Sequence, residues 1–293
     1  MTASSARFPG ERAAWIVRHA LDEDLGRDGD VTSRATIPAG SRLSARLVAR
    51  EPCVVAGMPL VALVFGQMAQ RLGVEAPSVG DAVDDGTRAR AGETLAVIAG
   101  DARVVLGGER VLLNLLARLS GIATLTAEAV AEIAGTRTTV ADTRKTTPLL
   151  RALEKYAVRV GGGENHRETL DELPMVKDNH KLVAGGVREA ISALRAAGID
   201  PRDAEVEVDT YDECLVAVEE GAGWILLDNM TPDEVRRCVD AVAGRARIEV
   251  SGGLRPGRLR PFAEAGADRL SLGILTHGAR AVDLALDVLP AAD

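Results

Sequence analysis

EVEVDTYDECLVAVEEGAGWILLD, residues 205–228, is the stretch whose reading decides the fold. EVEV (205–208) alternates with a period of two, YDECLVAVEEG follows at helical spacing and stops at glycine, and WILLD (224–228) is a short apolar run closed by an acid. A strand, a helix and a second strand in so short a stretch form a crossover, which makes the two strands parallel. The same rhythm runs outward in both directions. Further candidate strands are TTVAD (138–142), AVRV (157–160), PMVK (174–177), RIEV (247–250) and RLSL (269–272), with helices such as VREAISALRAAG between them. Seven strands of this kind read as an incomplete α/β barrel, with a doubly wound open sheet as the alternative.

The N-terminal part has a different texture. Ile16, Val17, Ala20, Leu21 and Leu25 fall at helical spacing and Gly26 ends the pattern; Leu43, Ala45, Leu47 and Ala49 then alternate as a strand, and CVVAGMPLVALVF continues as strand and helix. Residues 74–100 are rich in Gly, Asp and Val without a helical period, which predicts short antiparallel strands around Gly80, Gly86 and Gly92. Leu112, Leu115, Leu116 and Leu119 mark one face of a helix, with Gly121 read as a break before a second helix.

Composition narrows the function. The 293 residues carry a formal net charge of −8, and with three Phe, two Trp and two Tyr the core must be built from Ala, Val and Leu. An acidic chain with few aromatics offers no basic stripe for nucleic acid. The three cysteines lack C-x-x-C spacing, which argues against a zinc site or a disulfide framework. No leader pattern and no apolar run near 18 residues is read, so a cytoplasmic protein away from membranes is expected.

Against that acidic background, residues 144–181 carry eight Lys/Arg and six acids. Arg151, Lys155 and Arg159, at i, i+4, i+8, read as a solvated helix face. Arg144, Lys145, His166, Arg167 and Lys177 instead follow candidate strands, where such folds place their reactive groups. This predicts an anion site. Arg167 suits a planar carboxylate through two parallel hydrogen bonds, and the adjacent His166 can add a third donor. Glu205 and Glu207 share one strand face, and a buried carboxylate needs a partner. Glu207 and Asp228 read either as a Mg²⁺ or sugar-hydroxyl site or as salt-bridge partners of Lys145 or Lys177. Ser251-Gly252-Gly253 and the loop at Gly273 follow the last two strands, where a missing Cβ lets backbone N–H groups approach a phosphate.

TRKTTP, EKYAV, GGG-x-NHR, VKDNH, EVEV, LLDNM, SGG and LGILTH, together with EDLG-x-x-GD-x-T and GERVLLNLLARLSGIATLT, resemble in order and spacing the quinolinate phosphoribosyltransferase family. The resemblance implies an N-terminal α/β sandwich domain (1–112) followed by an incomplete seven-stranded α/β barrel (113–293), leaving open that the C-terminal segment packs back on the first domain. It implies phosphoribosyl transfer from 5-phosphoribosyl 1-pyrophosphate to quinolinate with decarboxylation, dependent on Mg²⁺, by a homodimer or higher oligomer with shared sites. Arg110 of a neighbouring chain, with Arg144, His166, Arg167 and Lys177, would hold the acid. Lys145, Glu207 and Asp228 would engage the donor and metal, and Ser251, Gly252, Gly253 and Gly273 the 5-phosphate. Two departures stand out. Leu149 replaces a common glycine, and Glu168-Thr169-Leu170-Asp171-Glu172 adds acids beside the clamp, each repulsive by ~1 kcal/mol if water-screened. A different aromatic acid as acceptor, and a non-catalytic phosphate-ligand-binding barrel, are the competing expectations.

Overall fold

The computed structural model describes residues 7–290; the first six residues of the polar N-terminal stretch lie outside them. In chain order, α1 (Gly10–Leu25) and α2 (Val31–Thr36) lead to β1 (Arg42–Ala49), β2 (Cys53–Val54) and α3 (Pro59–Leu72). Next come β3 (Ser78–Gly80), β4 (Arg88–Ala89), β5 (Thr94–Asp101) and the long α4 (Ala102–Glu132). The alternating part comprises β6 (Thr139–Ala141), α5 (Arg151–Val160), β7 (Met175–Val176), α6 (Asp178–Ala184), α7 (Val187–Ala196), β8 (Glu205–Val208) and α8 (Tyr211–Glu219). It continues through β9 (Trp224–Asp228), α9 (Pro232–Val242), β10 (Arg247–Ser251), α10 (Arg260–Glu264), β11 (Arg269–Ser271) and α11 (Ile274–His277), and the chain closes with β12 (Leu284–Val288).

Contacts group the chain into two units. The first contains residues up to Leu125, Thr147–Gly162 and the segment from Ala279; the second contains Thr126–Thr146 and Gly163–Gly278. The expected division after residue 112 falls inside α4.

In the first unit, β12, β1, β5 and β3 form a four-stranded sheet in that order, with every pair antiparallel. The C-terminal strand thus pairs with β1, Ala45 opposite Val288. The side chains of α4 that the sequence placed on one face are buried, Leu112 and Leu116 completely. Gly121 does not break this helix, contrary to the sequence reading: α4 runs on to Glu132, and a Cβ at Gly121 would overlap the carbonyl oxygen of Arg280. Its glycine serves close backbone approach. An 18-residue window of α4 is long and apolar enough to cross a membrane by composition, which the sequence reading missed, but 67% of that window is buried inside the fold. It behaves as a core helix.

The expected strand AVRV is also corrected, since residues 157–160 are the last turn of α5. The spacing of Arg151, Lys155 and Arg159 already followed a helical period, and AVRV is the end of that helix, where four residues are too few to tell strand alternation from a helical turn. Lys155, read as solvated, is fully buried within it, whereas Arg159 is exposed.

The second unit holds a six-stranded sheet, β6-β11-β10-β9-β8-β7, whose pairs are all parallel. A single parallel bridge from Ala141 to Glu164 adds a seventh position beside β6. The helices between these strands are capped by local chemistry: Thr210 accepts from Glu213 N at the start of α8, and Thr231 with Glu234 makes a capping box at α9. Short crossovers of this type bring all the strands' carboxyl ends to one side.

Candidate active site

Those carboxyl ends surround a cleft of about 530 Å³ lined by Arg144, Lys145, His166, Arg167, Lys177, Glu207 and Asp228, with Glu249, Ser251 and Ser271 among the remaining lining residues. Register explains the convergence. Asp228 and Ser251 are partners at the ends of β9 and β10, and Ser271 pairs with Ala141, just ahead of the loop that carries Arg144 and Lys145. Every barrel-end cation singled out in the sequence is therefore brought to one cleft.

Two guanidinium groups lie together in it. Burial, and then the neighbouring Arg144 charge, push Arg167 below the usual arginine range, and the buried Nε of Arg144 has no hydrogen-bond partner among the described residues. Arg167 Nη1 donates to the Leu173 carbonyl oxygen at 2.7 Å. Like-charged groups held this close under partial burial are stabilised by an anion between them. Lys145 is exposed, and its carbonyl accepts from Thr276 Oγ1 at 2.8 Å, which fixes its main chain.

His166 departs from the sequence reading. Its Nδ1 accepts from the Arg167 backbone N–H at 2.8 Å and its Nε2 lies 2.9 Å from Glu205 Oε2. Both ring nitrogens are engaged by the protein, so neither is left to serve as a third donor. Its backbone N–H donates to Asp142 Oδ1 at 3.0 Å, and the other oxygen of this fully buried Asp142 accepts from Asn165 at 2.5 Å.

On the opposite rim, Lys177 Nζ and Glu207 Oε2 are 2.8 Å apart, the salt bridge weighed in the sequence. Glu207 Oε1 also accepts from Asp178 N at 3.3 Å. Burial, then the charges of Glu207 and Asp209, push the Asp228 carboxyl above its ordinary range. Crowded hard oxygens of this sort suit a divalent cation such as Mg²⁺, so these residues fit one.

Ser251, Gly252, Gly253, Gly273 and Lys145 line a hollow of about 90 Å³, with Arg255 and His277 also on its wall. Gly252 and Gly253 have φ of 92° and 61°, in the left-handed region that favours glycine. A Cβ at Gly273 would meet Lys145 Cδ at 2.9 Å.

Arg110 is exposed on α4 in the first unit and does not line the cleft. None of residues 168–172 lines it either, and the Glu172 carboxylate accepts from Glu168 N at 2.6 Å. Leu149 has φ of 68°, a conformation that explains why glycine is common there in the family it resembles. Sequence reasoning missed Glu249, Arg269 and Asp142. The signal for Glu249 was present in RIEV, where a lone acid sits between two apolar residues on an interior strand.

The fold and cleft define an enzyme of the α/β class that gathers a polyanionic substrate at the carboxyl ends of parallel strands. Comparison with known proteins makes this specific. Residues 30–120 match the model of the quinolinate phosphoribosyl transferase N-terminal domain, and residues 122–287 that of the C-terminal domain. A Mycobacterium leprae protein named nicotinate-nucleotide pyrophosphorylase (carboxylating) is 41% identical over 275 residues, covering 93% of this chain and 95% of the relative. A Bacillus subtilis protein named as a probable enzyme of that kind is 38% identical, covering 93% and 92%. The crystal structure of nicotinate-nucleotide pyrophosphorylase from Ehrlichia chaffeensis superposes with a TM-score of 0.89 at 33% identity, covering 94% of this chain and 98% of the other. The chain belongs to the quinolinate phosphoribosyl transferase family.

Proposed function

We propose that this enzyme transfers the phosphoribosyl group of 5-phosphoribosyl 1-pyrophosphate to quinolinate with loss of CO₂, forming nicotinate mononucleotide and pyrophosphate in NAD biosynthesis. The observation that carries this reading is the pairing of Arg144 with Arg167 in a cleft that also holds Lys145, Lys177, Glu207 and Asp228. Two carboxylates on one small ring match two guanidinium groups, and a pyrophosphate matches the lysines.

In this assignment Arg144 and Arg167 hold the acid groups, with Lys177 between acid and donor. Lys145 faces the donor, and its charge offsets the charge that develops on the departing pyrophosphate. Ser251, Gly252, Gly253 and Gly273 receive the 5-phosphate through backbone N–H groups. Holding the ring nitrogen against the anomeric carbon supplies much of the remaining rate. Glu207 and Asp228 hold Mg²⁺, which when bound neutralises pyrophosphate charge. Arg110 completes the acid site of a partner subunit in a homodimer, which accounts for an exposed arginine outside the cleft of its own chain. The three free, buried cysteines suit a reducing compartment such as the cytoplasm.

Purified protein given quinolinate, the ribosyl donor and Mg²⁺ is expected to release CO₂ and pyrophosphate in equal amounts, and EDTA to stop both. Release of neither across pH 6–9 overturns the assignment. Faster turnover of another pyridine or pyrrole acid would move the acceptor while leaving the transfer chemistry in place.

A further inference from the structure

Beneath the cleft, the interior of the sheet is charged where aliphatic side chains are usual. Glu205 and Glu249 are both fully buried, on β8 and β10, and His166 is 7% exposed above them. Glu249 and Arg269 are register partners on adjacent strands, and their side chains meet at 2.5 Å. Glu205 meets His166 Nε2 at 2.9 Å, while Glu249 Oε1 is 3.5 Å from the same nitrogen. One oxygen of each glutamate has no hydrogen-bond partner among the described residues. Enclosing two carboxylates is costly unless each is paired, and here the partners are His166 for Glu205 and Arg269 for Glu249.

The effect of the first pairing is legible in the imidazole. Because Nδ1 accepts from the Arg167 N–H, its lone pair is committed and the ring proton of the neutral form must sit on Nε2. Glu205 is the acceptor for that proton. The carboxylate therefore selects the tautomer that pins the Arg167 backbone, while the neighbouring Glu249 is paired with Arg269. The ligand atoms of His166, Glu205 and Glu249 lie within 4.8 Å of one another, a spacing that also suits a metal ion. Arg269 already supplies a cation at Glu249, and Nε2 is already engaged by Glu205.

We propose that Glu205 is a positioning residue for acid recognition, acting through the His166 ring to hold Arg167 in place, and that His166 serves the acid through Arg167 instead of donating to it. The proposal rests on quinolinate being the acid held by Arg167, but its first test does not. In ¹⁵N-edited NMR of the wild-type imidazole, the proton is expected on Nε2 with Nδ1 unprotonated; a proton on Nδ1 overturns the proposal whatever the substrate. The second test measures binding of quinolinate and of the ribosyl donor separately by calorimetry. Glu205→Leu is expected to weaken quinolinate at least about tenfold while donor affinity stays within about twofold, since a displacement of the clamp near 1 Å has effects of that order or larger. Glu205→Gln keeps an oxygen acceptor for Nε2–H and is expected to return quinolinate binding to within about threefold of wild type. Should Glu205→Leu not fold, Glu205→Asp, which withdraws the carboxylate by one methylene, is expected to show the same selective loss. Equal weakening of both ligands, no weakening, or no recovery in Glu205→Gln each refutes the positioning role. Absence of quinolinate binding by the wild type would refute the proposed activity instead, with the tautomer result still standing.

Discussion

Gly252→Ala is the sharpest local test of the phosphate hollow. Position 252 has φ of 92°, and an added Cβ would lie 2.5 Å from the Asn229 backbone nitrogen and closer still to its side-chain oxygen. Asn229 cannot simply withdraw. It sits at φ of 55°, and its N–H donates to the Ser251 carbonyl oxygen at 3.1 Å. The φ region costs a residue with a Cβ about 1–3 kcal/mol. Losing the Asn229–Ser251 hydrogen bond adds about 1 kcal/mol. The loop is therefore expected to move in preference to paying both, carrying Ser251 away from its place opposite Asp228. A shift near 1 Å raises KM for the ribosyl donor by about tenfold to a hundredfold. KM for quinolinate, whose proposed ligands lie on other strand ends, is expected to change by less than about threefold. Steady-state kinetics with each substrate varied in turn, beside urea unfolding, separate a local effect from a global one. Unchanged KM for the donor in a folded variant would refute the assignment of this hollow to the 5-phosphate.

Leu149→Gly removes a leucine from φ of 68° at a position that is 60% exposed. Relief of about 1–2 kcal/mol exceeds the added chain entropy of about 0.5–1 kcal/mol, so urea unfolding is expected to show net stabilisation. Leu149→Ala, which keeps the strain, should show none, and equal stabilities for the two variants contradict the strain account. Glu249 is held up to about 7, first by burial and then by the Glu205 charge. A carboxyl raised in the folded state contributes its stability fully below its unfolded pKa of 4.5 and loses it as pH rises through about 7. Glu249→Gln lacks that slope, so the stability of the variant relative to wild type is expected to rise between pH 5 and pH 8; a constant difference would dismiss the linkage. Arg110→Ala and Arg167→Ala chains, each inactive alone, are expected to regain activity when mixed under subunit exchange, with a ceiling of about one intact site per mixed dimer. No recovery after demonstrated exchange removes the shared site.

Much of this protein is written locally in its sequence. EVEV and WILLD, with the helix between them, become β8, α8 and β9, because a strand or an amphipathic helix with one buried side leaves its period in the order of residues. Arg144, Lys145, Lys177 and Asp228 follow or end such strands, and parallel strands deliver their ends to one side; Glu207 lies within β8, and Arg167 reaches the same cleft after the Glu164 bridge beside β6, not after a strand at 157–160. AVRV misled because four residues alternate as readily in the last turn of a helix as in a strand, while the helical spacing of Arg151, Lys155 and Arg159 belonged to the same element, α5. Gly121 looked like a helix break until the Arg280 carbonyl, far along the chain, was seen pressed against it. The role of His166 also required tertiary structure. The sequence supplied an imidazole beside an arginine, but which atoms its two nitrogens meet depends on Glu205, and that carboxylate's surroundings depend on Glu249 and Arg269, which only strand register brings together. Periodicity determines which side of an element is buried; what each buried polar group faces is decided by strands that meet only in the folded sheet.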